Sequence, residues 1–191
     1  MLDYIYDKEG RGFEDESSHP PTDQPTKFGI DMATFKLSAK SILGIDPTLE
    51  NLQKLTQDQA DAFYVKYYFQ RFNLDKINNL PVLKALFSQE PLGEYRMVVN
   101  AKKALNDITQ SNYSTNAQAF SDAEVSALNS VDATPYIYSF ATYQYQSYES
   151  IYDGNPAKYG AYIDGWINRL NELLDDKQKN FTSPKQKKSG K

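Results

Sequence analysis

The chain has no cysteine and a single histidine, His19, among its 191 residues. The lack of cysteine excludes disulfides, thiolate nucleophiles and metal sites built on sulfur. His19 lies in a proline-rich stretch and has no second histidine to join it, so neither a zinc site based on imidazole nor a triad with a histidine base is expected. We therefore expect no metal and no cofactor.

We expect neither a transmembrane segment nor a signal peptide. No segment approaches the roughly 20 apolar residues that cross a bilayer, and the N-terminus lacks a basic start and an apolar centre. The net charge is −4, but residues 177–191 contain six lysines and no acid, so residues 1–176 carry −10. An acidic body argues against nucleic acid as a partner. For the lysine-rich end we expect a disordered, solvated tail.

Helical signals dominate what is present. A hydrophobic content of 40% is enough to fill a core. Two capping boxes, Thr56 with Gln59 and Ser121 with Glu124, mark helix starts, and Gly44 marks a helix end. Apolar residues recur at helical spacing in seven or eight segments, among them residues 58–72 and a final segment at residues 157–176, where we expect continuous helices. The pattern predicts an all-α fold with at most a small β-hairpin in the 10–30 loop.

That loop follows a short N-terminal helix, which Gly10 is placed to end in a left-handed cap. Polar loops of about twenty residues are uncommon inside compact domains and tend to be functional or disordered. Glu9 would be the last helical side chain, near the negative end of the helix dipole, where the pKa of a carboxyl rises. A protonated carboxyl of this kind suits general acid catalysis of glycosidic bond cleavage.

Glycoside hydrolysis also needs a second polar group across the sugar ring. The loop offers four further carboxylates, and Thr26 carries a hydroxyl that can orient a water molecule; the carboxylates are those of Glu14, Asp15, Glu16 and Asp23. By spacing alone, an acidic loop beside a helix end is more often merely solvated than catalytic. Both interpretations stay open on the loop residues by themselves.

Several segments resemble one family in the order in which they occur. Glu9-Gly10, a polar loop with prolines and then "TKFGID" resemble the N-terminal signature of the glycoside hydrolase family 108 lysozymes. "LTQDQADAFYVKYYFQRFNLDKI" is similar to a helix of the same family. The peptidoglycan-binding region that follows in that family resembles "LPVLKALFSQEPLGEYRMVVNAKKALNDI" and "NPAKYGAYIDGWINRLNELL".

The resemblance implies a lysozyme-like, two-lobed helical domain, with a catalytic lobe over residues 1–80 and a helical peptidoglycan-binding lobe over residues 81–176. It places the catalytic glutamate at Glu9. The site residues that it implies beside Glu9 are Asp23 and Thr26 for catalysis, with Gly29, Tyr67 and Tyr68 for substrate binding. Two positions depart from the family: Arg11 stands where a second glycine is usual, and "TDQP" replaces Asp-Pro-Gly-Gly.

The implied reaction is hydrolysis of the β-1,4 bond between N-acetylmuramic acid and N-acetylglucosamine in peptidoglycan glycan strands. Lytic transglycosylation is an alternative that also needs one glutamate, and a non-catalytic peptidoglycan-binding or structural protein is another. We expect a monomer, made in the cytoplasm and acting in the periplasm or cell wall after release by a holin or a secretion apparatus. An immunity or inhibitor protein is a further expected partner.

Overall fold

A computed structural model describes Leu2, Tyr6 and residues 10–15, 24–89, 94–176 and 178–189. The chain divides into two compact units, Met1–Asp75 and Lys76–Lys191. The sequence placed a division after residue 80. Among the described residues, no helix combines the length and the apolar character needed to cross a membrane.

The first unit contains a small antiparallel sheet of three strands, each two residues long. The strands lie side by side in the order β1, β2, β3 and comprise Phe13–Glu14, Thr26–Lys27 and Ile30–Asp31. Phe28 and Gly29 join β2 to β3 with φ values of 54° and 73°. Positive φ at both central residues is the pattern of a tight type I′ hairpin turn. The predicted hairpin is therefore present, with one additional strand.

Helix α1, Met32–Leu43, leaves this sheet directly. Its N-cap is Asp31, whose carboxylate accepts a hydrogen bond from the Thr34 backbone at 2.8 Å. It ends at Gly44, which has a φ of 72°. Two further helices of this unit are α2, Leu49–Gln53, and α3, Gln57–Tyr64.

The chain does not continue as a regular helix after α3, although the sequence predicted one. Residues Val65–Phe69 form a π-helical turn, and Gln70–Phe72 and Leu74–Lys76 form 3-10 turns. Asn73 stands between the two 3-10 turns with a φ of 61°. Single π-helical turns are rare in proteins, and those that do occur are often found at functional sites.

The second unit is built from longer and more regular helices. In chain order its helices α4 to α10 are Leu80–Ser88, Glu94–Thr109, Asp122–Ser130, Ala133–Gly154, Pro156–Tyr159, Ile163–Asn171 and Pro184–Ser189. The predicted capping box of Ser121 with Glu124 starts α6, and α5 packs along α7. The sequence predicted one final helix over 157–176, but the structure breaks it into α8 and α9.

Tyrosines of α7 form one side of a buried cluster against α9. Trp166 packs beside this cluster, with its ring 5.5 Å from Tyr148 and 5.9 Å from Tyr159. Burial raises the pKa of Tyr148 well above its ordinary value. Trp166 thus joins α9 to the core, the structural role expected for it.

A buried ion pair joins α5 to α6. Lys102 Nζ lies 3.3 Å from the Glu124 carboxylate, and the two side chains are 3% and 5% exposed. The ammonium also donates to Asn116 Oδ1 and to the Ala119 carbonyl, each at 3.4 Å. These oxygens satisfy the remaining ammonium protons, which a buried charge requires.

The described part of the lysine-rich end differs from the disordered tail predicted for it. The ring of Phe181 stacks on Tyr145 at 4.8 Å, and its carbonyl accepts a hydrogen bond from Asn171 at 2.8 Å. Lys185 Nζ pairs with Asp164 at 2.7 Å. One aromatic residue in a polar run is a weak sequence signal, but its ring, the bond from Asn171 and the ion pair of Lys185 together hold the segment on the second unit.

Candidate active site

Two of the predicted catalytic residues, Glu9 and Asp23, lie outside the described residues. The structure does describe Tyr6 and Gly10, which lie before and after Glu9 in the sequence. The Gly10 amide donates to the Tyr6 carbonyl at 2.9 Å, and Gly10 has a φ of 83°. This bond closes one helical turn, and the left-handed glycine ends it. The predicted helix end at Gly10 is confirmed.

Tyr6 fixes this turn to the core of the first unit. Its side chain is 2% exposed, and its hydroxyl donates to the carboxylate of Asp61 on α3. Its ring lies 5.4 Å from Phe28 and 5.8 Å from Tyr64. The turn that precedes the loop is therefore anchored both by a polar bond and by aromatic packing.

Arg11, the residue that departs from the family pattern, has a defined position. Its guanidinium lies over the Tyr6 ring, 4.9 Å from the ring centre, and donates to Gln57 Oε1 at 3.1 Å. A cation over an aromatic face is attracted by the ring electrons. Arg11 thus holds the start of the loop against the beginning of α3.

The sheet register brings Thr26 between two carboxylates. Glu14 is directly opposite Thr26 across β1 and β2, and Thr26 is directly opposite Asp31 across β2 and β3. Directly paired residues of adjacent strands project from the same face of a sheet. All three residues are half-buried. Asp31 is engaged as the cap of α1, whereas Glu14 belongs to β1 at the other edge of the sheet.

Glu14 also reaches the end of the N-terminal turn. Its Oε1 atom lies 3.8 Å from the position that a Cβ atom on Gly10 would occupy. Of the two candidate second carboxylates that the structure describes, Glu14 and Asp15, only Glu14 combines this approach with a pairing to Thr26. A half-buried acid therefore stands next to the residue that follows Glu9.

The turn that joins β2 to β3, at Phe28 and Gly29, has a strained backbone. Phe28 is 7% exposed and has a φ of 54°, a backbone conformation that bulky residues rarely adopt. The Tyr64 hydroxyl donates to the Phe28 carbonyl at 2.8 Å inside the core. Strained residues of this kind persist where the surroundings fix them, and they cluster at functional sites. Gly29, a predicted substrate contact, supplies the second left-handed position of the turn.

The two predicted substrate-binding tyrosines, Tyr67 and Tyr68, both lie in the π-helical turn and are half-buried. The Tyr68 ring lies 5.0 Å from that of Tyr64, which in turn contacts Tyr6. The Tyr67 ring stacks on Phe63 at 5.4 Å. Tyr68 is thus linked to Tyr6 by ring contacts through Tyr64.

Tyr67 also borders a surface cavity of about 370 Å³. Arg71 covers the Tyr67 ring at 5.3 Å and lines the same cavity. The apolar part of the lining comes from Leu37 and Ile42 of α1. An aromatic face with a cation and apolar neighbours offers the groups that pockets for small ligands use, and sugar rings can stack on the exposed part of the Tyr67 ring.

Sequence reasoning missed Asp61 and Tyr64, and no local signal could have identified them. Asp61 is 55 residues from Tyr6, and Tyr64 is 36 residues from Phe28.

Among the described residues, no three His, Asp or Glu side chains are grouped in a way that could hold a metal ion. The described site therefore offers carboxylates, a threonine hydroxyl and aromatic rings, which are groups that acid–base chemistry on a sugar uses.

Comparison with known proteins agrees with the resemblance seen in the sequence. A family model described as Glycosyl hydrolase 108 matches residues 2–89. The solved structure of Brucella abortus SagA is similar to this chain with a TM-score of 0.65 and 17% identity, covering 90% of this chain and 88% of that chain. No curated protein sequence matches. The helical, lysozyme-like fold with a small sheet is confirmed.

Proposed function

We propose that this protein, whose residues 2–89 match the family model described as Glycosyl hydrolase 108, is a glycoside hydrolase that cleaves the glycan strands of peptidoglycan. The bond is the β-1,4 link from N-acetylmuramic acid to N-acetylglucosamine. One observation carries the proposal. The segment that matches the family contains both the turn that ends at Gly10 and the paired residues Glu14, Thr26 and Asp31 of the sheet. No cofactor takes part in the proposed reaction.

Glu9 is the general acid in this proposal. It immediately precedes the glycine that ends the helical turn, and the negative end of a helix raises the pKa of a nearby carboxyl. A carboxyl protonated near neutral pH can give its proton to the leaving glycosidic oxygen. The bond from Tyr6 to Asp61 supports this role because it fixes Tyr6, which lies three residues before Glu9 in the sequence.

The second catalytic group acts from the opposite side of the sugar ring. The family resemblance assigns it to Asp23, assisted by Thr26, whose hydroxyl orients the attacking water. The pairing of Glu14 with Thr26, and its approach to Gly10, support Glu14 as an alternative for the same role. Either carboxylate would activate water or stabilise the positive charge that develops on the sugar.

Digestion of purified peptidoglycan tests the proposed reaction. Glu9→Gln keeps the side-chain size and removes the acid, so we expect the rate to fall by about 10²–10⁴-fold with an unchanged melting temperature. Mass analysis of the wild-type products separates the alternatives. Reducing muramic acid ends indicate hydrolysis, anhydro ends indicate a lytic transglycosylase, and no release indicates a binding protein.

The same assay identifies the second group. Glu14→Gln, Asp23→Asn and Thr26→Ala are compared at equal thermal stability. The variant of the true partner carboxylate should lose one or more orders of magnitude in rate. A carboxylate whose amide variant keeps full activity has no part in the chemistry.

The site of action is proposed to be the periplasm or the cell wall, because that is where peptidoglycan lies. A holin or a secretion apparatus would then release the protein, and an immunity or inhibitor protein would protect the producing cell. Fractionation of producing cells, with and without such a release system, tests the route. Release of the protein from cells that lack both a holin and a secretion apparatus would refute the proposed route.

A further inference from the structure

A second cavity, of about 570 Å³, lies in the second unit between α5, α7 and the start of α8. Its volume is in the range of sites that hold small ligands, roughly 300–1,000 Å³. The lining combines two cations from α5 with hydroxyl and aromatic groups from α7 and α8; the residues used below are Arg96, Lys103, Tyr143, Ser147, Ser150 and Tyr159. The predicted site residues that the structure describes, Thr26, Gly29, Tyr67 and Tyr68, are not among its lining residues.

The two cations give this cavity its charge. Arg96 and Lys103 are seven residues apart on α5, so they lie on one face about 10 Å apart along the helix axis. Within the part of the chain that the structure describes, neither pairs with a carboxylate, and the Lys103 ammonium lies over the Tyr143 ring at 5.6 Å. Of the described residues that line the cavity, none is acidic. In a chain with a net charge of −4, this is a local positive site.

A carboxylate nearby is already engaged. Asp107, one turn beyond Lys103 on α5, accepts a hydrogen bond from the Tyr143 hydroxyl at 2.7 Å. It also accepts from Ser139 at 3.4 Å. These bonds hold Tyr143 against α5 at the edge of the cavity.

A buried polar network fixes the wall of the cavity on α7. Asn100, which is 2% exposed, donates to the hydroxyl of Ser147 at 2.9 Å and to the side chain of Gln144. Buried polar groups that are fully bonded hold one arrangement of the surrounding side chains. Ser147 is thus a fixed polar group in a preformed cavity.

We infer that this cavity binds a short acidic peptide, and, resting on the proposed function, that this peptide is the stem attached to the muramic acid of peptidoglycan. An extended peptide advances about 3.3–3.6 Å per residue, so carboxylates three residues apart are about 10 Å apart. That spacing matches the two cations on α5. The hydroxyl groups of Ser150 and Tyr159 are available to bond the peptide backbone between them.

Binding of a synthetic stem peptide without sugars to the full-length chain tests the inference directly. The double variant Arg96→Gln/Lys103→Gln should bind at least about tenfold more weakly, because charge-assisted bonds to carboxylates are lost. The matched control is Lys76→Gln/Lys179→Gln, which removes the same charge from exposed ion pairs outside the cavity. The control should bind within about twofold of the wild type, because screened surface charges contribute little.

Three results would overturn the inference. They are no binding by the wild-type chain, equal loss in the two double variants, and binding of a peptide-free uronic acid oligosaccharide through Arg96 and Lys103 in preference to the peptide. Matching melting curves of all variants establish that the loss is local. The two side chains are exposed or half-exposed, so their amide variants are expected to fold.

Hydrolysis of two substrates separates this inference from the proposed function. The cavity variant should slow the digestion of intact peptidoglycan and leave the digestion of glycan strands stripped of their stems unchanged. If the wild-type chain cleaves neither substrate but the peptide still binds through Arg96 and Lys103, the proposed function fails and the peptide site stands. If both substrates are cleaved equally by wild type and variant, the inference fails alone.

Discussion

The two units of the chain differ in how regular their backbones are. In the first, the strands have two residues each, Phe28 adopts a left-handed conformation, and α3 runs into a π-helical turn. The second contains capped α-helices, of which the longest, Ala133–Gly154, has 22 residues. The residues proposed for catalysis all belong to the first unit. Irregular backbone is therefore concentrated in the unit that carries the proposed chemistry, and regular helices make up most of the other.

The buried polar groups follow the same division. In the first unit they tie loops to a helix, as Tyr64 does when its hydroxyl bonds the carbonyl of Phe28. In the second they tie helix to helix, through the ion pair of Lys102 with Glu124 and the bond from Asn100 to Gln144. Loss of the Tyr64 bond should accordingly affect both activity and stability, whereas loss of the Lys102–Glu124 ion pair should affect stability alone.

The largest effect is expected at the buried ion pair of the second unit. Lys102→Met leaves Glu124 charged and buried without its cation, which should cost about 3–5 kcal/mol in the free energy of unfolding measured with urea. Lys179→Met, which removes an exposed pair with Asp176, should cost at most about 1 kcal/mol. The double variant Lys102→Met/Glu124→Gln should regain most of the loss, since no unpaired charge remains. A cost near that of the exposed pair would refute this role of Lys102.

A smaller loss is expected from the terminal segment. Phe181→Ala removes the ring that stacks on Tyr145 and should lower the free energy of unfolding by about 2 kcal/mol. Phe181→Leu keeps much of the apolar volume and should lose less than half of that. If Phe181→Ala leaves the melting temperature unchanged, the segment behaves as the solvated tail that the sequence suggested.

Two tyrosine hydroxyls provide the most direct contrast between the units. Tyr64 bonds the Phe28 carbonyl at 2.8 Å, and Tyr136 bonds the Ala101 carbonyl at 3.3 Å, both in buried surroundings. Tyr64→Phe and Tyr136→Phe should each cost about 1–2 kcal/mol. Only Tyr64→Phe should also slow peptidoglycan hydrolysis, because the turn at Phe28 leads directly from β2 and Thr26. Equal activity of the two variants would remove the functional distinction between the units.

The smallest effect is a pH dependence in the second unit. A hydrogen bond from Lys185, together with one from Ser183, lowers the pKa of Asp164 below its ordinary 3.8. The stabilisation is therefore present above pH 3.8 and is lost as the pH falls through the lower, folded value. Lys185→Met should lower stability slightly at neutral pH and converge with the wild type in acid. Curves that stay parallel down to the lowest pH would contradict this linkage.

Sequence signals were sufficient wherever the interaction is local. The cap of α3 by Thr56 with Gln59, the cap of α6 by Ser121 with Glu124 and the stop at Gly44 all act within a few residues. Each pairs a side chain or a glycine with a backbone group of the same helix end. The mainly helical fold was predictable for this reason.

Features that depend on distant contacts were not predictable. The row of Glu14, Thr26 and Asp31 forms because the strands pair in one particular register. The amino-acid composition of the loop between β1 and β2 does not predict that register. The turn at Phe28 likewise depends on the hydroxyl of Tyr64, which lies 36 residues away in the sequence. Both depend on close approaches that periodicity cannot show.

The placement of the only tryptophan makes unfolding of the second unit directly observable. Trp166 lies in the second unit beside Tyr148 and Tyr159, and the first unit contains no tryptophan. Selectively excited indole fluorescence therefore reports on the second unit alone, whereas far-ultraviolet circular dichroism reports on helices of both. Superimposable transitions from the two signals would indicate a single cooperative system. Separate transitions would give each unit its own stability, measured in one sample without any label.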